Sequence, residues 1–159
     1  MSRDSGFSLL ELLIVVAIIL IIAAIALPNF IRSRLAAKES AAVSHIRTIS
    51  TAEIAYAQTY PDVGYTCSLS ELGPPSGGGS ASSSAAGIID GVLASGVKQG
   101  YSFSLRNCSG TPRITYSSAA VPRSANNGGR AFCSDASGII SFAADGTAAT
   151  CQSAGQVLR

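Results

Sequence analysis

At 159 residues the chain has room for one globular domain and an anchor. Charged residues make up 13% of it and the formal net charge is +2, with no Lys/Arg block, which excludes a strong electrostatic nucleic-acid footprint. Beyond about residue 30 it is rich in Ser, Gly, Ala and Thr with short aromatic and β-branched runs, the composition of a small core rather than an enzyme-sized one.

The first element follows a polar leader, residues 1–6. Gly6-Phe7-Ser8-Leu9-Leu10-Glu11 opens onto an unbroken apolar run from Leu12 to Leu27. At about 1.5 Å rise per residue, Phe7 to Leu27 spans about 31 Å, the thickness of a bilayer core. A secretory signal peptide has an apolar core of only about 7–15 residues and a small-residue cleavage site after it, and Pro28-Asn29-Phe30 is no such site. An ordinary single-pass anchor fits the length but gives Glu11 no purpose, although a carboxylate in hydrocarbon costs at least ~2.5 kcal/mol. Cleavage between Gly6 and Phe7 gives it one. The new α-amine and Glu11 then lie one helical turn apart, and pairing between neighbouring chains fixes their axial register, because an unpaired charge in an apolar bundle costs several kcal/mol.

This arrangement of Gly6, Phe7, Glu11, apolar run and Pro28 resembles the class III leader and N-terminal helix of type IV pilins and type II secretion pseudopilins. The resemblance implies that a prepilin peptidase cuts after Gly6 and N-methylates Phe7, and that Glu11 is the assembly carboxylate. It also implies an α+β pilin fold, a long N-terminal helix packed on a small antiparallel sheet. The leader departs from the family's more basic habit, since Asp4 offsets Arg3. Arg32, Arg34 and Lys38 beyond the run argue by count for a cytoplasmic C-terminal domain; the cysteines and the leader place it outside.

Pro28 lacks an amide proton, so a kink or local melting near Ile25–Leu27 is expected. The helix should resume as an amphipathic half over 29–60, with Leu35, Ala42, Ile46, Ile49, Tyr56 and Tyr60 forming an apolar stripe. Arg34, Lys38, Ser44, Arg47 and Thr48 lie on the opposite, solvated or subunit-facing side. Residues 61–98 read as a connecting loop. Its Gly/Pro/Ser-rich centre runs from Gly73 to Gly87, and a short helix is expected over Ile88–Ala94. Strand-like runs follow at Tyr101–Arg106, Arg113–Ser117, Arg130–Ser134 and Gly138–Ala143, so that 99–159 forms the sheet and C-terminal region.

Cys67, Cys108, Cys133 and Cys151, with one His in the chain and no C-x-x-C, favour two disulfides over zinc and an oxidising compartment. Four cysteines allow three connectivities. Cys67–Cys108 would tie the connecting loop to the sheet. Cys133–Cys151 would staple the C-terminal segment and resembles the loop-closing disulfide of many pilins. No cofactor is expected. Asp135 and Asp145 could converge with loop carbonyls on Ca2+, as in some pseudopilins, but two turn aspartates are weak grounds for a cation that takes six to eight oxygens. His45 has no nucleophile at diagnostic spacing, and no catalytic constellation is present. Ser80 and Ser82–Ser84 could carry O-linked sugars or simply form a flexible linker.

The expectation is a structural, non-enzymatic filament subunit, inserted in the inner membrane with its C-terminal domain in the periplasm. It would pass into an extracellular pilus with the help of prepilin peptidase, an inner-membrane platform and an ATPase. No nucleic-acid partner is expected. The alternatives are a type II secretion pseudopilin and a signal-anchored periplasmic binding domain that does not polymerise.

Overall fold

The computed structural model describes residues 7–158. The chain divides into two compact units, Met1–Leu35 and Ala36–Arg159.

The described part of the first unit is the opening of helix α1 (Leu9–Thr59), an unbroken α-helix that carries Pro28 inside it. The turn around Ile25–Leu27 is not melted. The Asn29 side-chain amide donates to the Ile25 carbonyl at 3.4 Å and Ser33 Oγ donates to the Asn29 carbonyl at 3.0 Å, so polar side chains beside the proline support the carbonyls around it.

In the second unit, α1 presents a seam built of steps of three or four residues. Ala42, Ile46, Ile49, Ala52 and Tyr56 are buried on it, as one face of a helix packed on a sheet requires. The sheet has six antiparallel strands in sequential order: β1 (Val97–Lys98), β2 (Tyr101–Gly110), β3 (Arg113–Pro122), β4 (Ala131–Asp135), β5 (Ile140–Ala143) and β6 (Gln156–Val157). Side chains alternate between its faces. Tyr101, Phe103, Leu105, Tyr116, Ala120, Phe132 and Ile140 join the α1 seam in one core. The opposite face holds a smaller cluster of Ala119, Cys133 and Ala143, joined by Cys151 of helix α4 (Ala148–Ala154). The sheet is thus covered on both faces. Its outermost strands are two residues long, and the β2–β3 turn contains a cis Thr111–Pro112 bond.

The connecting region is better ordered than its composition suggests. Helices α2 (Leu69–Leu72) and α3 (Gly91–Ala94) bury Leu69, Leu72 and Leu93 in the main core, with Ile89 between them. Helix α3 starts three residues later than the pattern suggests, because the amides of Ile88 and Ile89 are both drawn to the Leu72 carbonyl. Asp90 then caps the helix by accepting from Val92 and Leu93. The Tyr56 hydroxyl reaches out of the core to donate to the Ser83 carbonyl at 2.6 Å, tethering the loop centre.

Candidate assembly site

Helix α1 begins with a local device. Ser8 precedes its first residue, and its amide donates to Glu11 Oε2 at 3.0 Å, which is the carboxylate half of a capping box. Glu11 is therefore turned back toward the helix start, beside Phe7. Phe7 and Glu11 are both exposed. Gly6 and the rest of the leader lie outside the described residues. From Phe7 to Ile31 the chain is exposed all round, including every large apolar side chain. It is long and apolar enough to cross a membrane. An apolar surface of this extent must be covered by lipid or by protein.

The second unit is closed by two disulfides, Cys67–Cys108 and Cys133–Cys151. The first joins the connecting region to β2; the second joins β4 to α4 within the outer-face cluster. Asp135 and Asp145 each fold onto their own turn. Asp135 accepts from the Ser137 amide and hydroxyl, and Asp145 accepts from the Thr147 amide and hydroxyl. Among the described residues no group of three or more His, Cys, Asp or Glu side chains is placed to hold a metal ion. His45 contacts Gln99 Oε1 at 3.3 Å and stands edge-on to Phe103.

Two glutamates, Glu39 and Glu53, sit on the buried seam of α1. Neither was singled out from the sequence. Glu39 accepts from Arg130 Nε at 2.9 Å, again from Arg130 Nη2, and from the Gly129 amide at 3.1 Å. Burial opposes its charge, but these donors prevail and hold its carboxyl below the ordinary carboxylate range. The same arginine lies over Phe132 and Phe142. Lys38, expected on the solvated side, instead donates to the Asn126 carbonyl and to Asn127 Oδ1. Together Lys38 and Glu39 fasten residues 126–130 to the helix. Gly128 makes this approach possible: its φ is +153°, and a Cβ there would run into the Tyr101 hydroxyl. Arg130→Ala is expected to lower stability by about 1–2 kcal/mol. That is a charge-assisted hydrogen-bond contribution discounted because the arginine side chain is 41% exposed. Denaturant unfolding of the full chain in detergent reads this directly; a change below about 0.3 kcal/mol would show the clamp to be energetically idle.

Glu53 is wholly buried and turns toward the connecting segment. Thr66 donates to it twice, through its amide to Oε2 and through Oγ1 to Oε1, both at 2.8 Å.

The prokaryotic N-terminal methylation motif matches residues 1–27. The type IV major pilin protein PilA of Myxococcus xanthus is 51% identical over 51 residues, which is 32% of this chain and 23% of that protein. The match thus spans under a quarter of the relative's length. No solved structure matches the chain. The chain thus carries the prokaryotic N-terminal methylation motif at its start, is similar over its first third to a type IV major pilin, and has a long helix packed on an antiparallel sheet.

Proposed function

We propose that the chain is a structural subunit of a type IV pilus. A prepilin peptidase would cut it after Gly6 and methylate Phe7. A membrane platform driven by an ATPase would then draw it from the inner membrane, where its C-terminal domain faces the periplasm, into an extracellular filament. The observation that carries this reading is the exposed apolar start of α1 with one acidic side chain, Glu11, within a turn of Phe7. In the membrane, lipid covers that surface; in a fibre, the same helices of other copies cover it. Glu11 and the Phe7 amine of a neighbouring subunit would neutralise each other there, so that only one axial offset leaves no charge unpaired. The Ser8 contact supports the reading, since it turns the carboxylate toward the helix start before any partner arrives. The name of the Myxococcus relative, a major pilin, supports a pilus over a secretion pseudopilus.

The test is intact mass and N-terminal sequencing of filaments sheared from cells. The expected chain starts at N-methyl-Phe7 and is lighter by four hydrogens for the two disulfides. A chain cut at Phe7 but confined to membranes would favour a pseudopilin. A first residue of Met1 or Ser2 in the membrane would remove the filament reading.

A further inference from the structure

Glu53 and Thr66 are both 0% exposed, and the hydrogens available between them decide the charge that Glu53 carries. Thr66 Oγ1 has one hydrogen but two acceptors in reach, Glu53 Oε1 at 2.8 Å and the Ser68 carbonyl at 3.2 Å. With Glu53 ionised, one of these contacts has no hydrogen. With Glu53 neutral, all are filled in sequence: Oε1–H donates to Thr66 Oγ1, Thr66 Oγ1–H donates to the Ser68 carbonyl, and the Thr66 amide donates to Oε2. Buried polar groups demand such completeness.

We propose that Glu53 is a proton-operated clasp. As the neutral acid it fastens the segment from Tyr60 to Leu72 to helix α1, and on ionisation it lets that segment loosen. The surroundings agree. Burial is the main influence and pushes its carboxyl up to about 7 from an ordinary 4.5; the Thr66 hydrogen bonds oppose this, Glu71 of α2 adds to it and Arg113 of β3 opposes it. The other titratable groups facing it are Tyr56 on α1 and Tyr116 on β3. Because the folded-state value is raised, the clasp's contribution is complete below about pH 4.5 and is lost as pH rises through about 7. The opening is local. Tyr65 donates to the Arg113 carbonyl, Arg113 to the Val63 carbonyl, and Cys67 is bonded to Cys108, and none of these contacts involves Glu53.

Glu53→Gln is the discriminating variant, because a carboxamide copies the neutral acid: its NH2 donates to Thr66 Oγ1 and its oxygen accepts the Thr66 amide. Amide hydrogen exchange of peptides from 60–72, corrected for intrinsic rates, is measured on the full chain in detergent micelles at pH 5 and pH 8. In the wild type, protection there should fall roughly tenfold or more between the two pH values. E53Q should keep its pH 5 protection at pH 8. An equal loss in both proteins, no loss in the wild type, or an E53Q segment unprotected at both pH values would each overturn the clasp. The carboxyl 13C shift of Glu53 in the wild type gives an answer independent of any variant. A midpoint near 7 supports the proposal; one below 5 overturns it.

Discussion

Glu11→Ala is expected to yield a protein that is cut, methylated and held in the membrane, yet falls at least about a hundredfold in filaments. The substitution makes residence in lipid easier, since it removes a carboxylate that costs at least ~2.5 kcal/mol there. In a fibre it does the reverse. The Phe7 amine of each neighbour would be buried with no counter-charge, and breaking a buried ion pair on one side costs about 3–5 kcal/mol, or roughly two to nearly four powers of ten in an equilibrium. Opposite signs in the two environments separate an assembly role from a folding role. The measurement is a quantitative immunoblot of sheared and membrane fractions. Glu11→Gln, which restores shape without charge, should fail as well. Normal filaments from either variant would leave Glu11 as no more than a helix cap for Ser8.

The second large effect is expected from Cys67→Ser with Cys108→Ser, which should lower stability by about 4 kcal/mol, against about 3 kcal/mol for the Cys133/Cys151 pair. The order follows from loop length, since the sequence separations are 41 and 18. In the chain-entropy picture the longer loop restrains the denatured chain more. The native consequences differ too. Cys67 lies next to Thr66, so losing its bond removes the tether that holds the connecting segment to β2. Cys151 sits instead in a small cluster with Ala119, Cys133 and Ala143 that still has apolar contacts to lose. Chemical unfolding of the two double-serine variants in detergent, compared with wild type, gives both values. A smaller loss for Cys67/Cys108 than for Cys133/Cys151 would show that native packing, and not loop closure, sets the order.

The fold class was legible because its two main signals are long. The apolar run and stripe of α1 fill many turns, β2 alternates from Tyr101 to Leu105, and β3 to β5 are runs of four residues or more set between turn signals. What the sequence concealed is short or polar. The two-residue strands β1 and β6 have no period to detect. Helix α4, Ala-Ala-Thr-Cys-Gln-Ser-Ala, has no apolar stripe, and its one local signal is the capping Thr147 after the Asp145-Gly146 turn. Glu39 and Glu53 were hidden for the opposite reason. In the series Leu35, Glu39, Ala42, Ile46, Ile49, Glu53, Tyr56, Tyr60, each step is four or three residues, so both glutamates stand where the core side chain should be. A charged residue in a buried seam is itself the signal. Their partners, Arg130 and Thr66, are brought to them only by the tertiary fold, and those partners give opposite outcomes: Glu39 is held ionised, Glu53 is pushed toward the neutral acid.

The brevity of β1 and β6 bears on the proposed fibre. Subunits stacked along the proposed filament would meet at a local concentration far above any in solution, and an exposed strand edge under such crowding is a template for another sheet. Here the outermost strands have two residues each, and one of them carries Lys98, whose ammonium pairs with Asp90. Their shortness and the charge on β1 both work against a neighbouring sheet continuing the ladder. In the proposed fibre, heads of this design would lie side by side without fusing into one continuous cross-β ribbon.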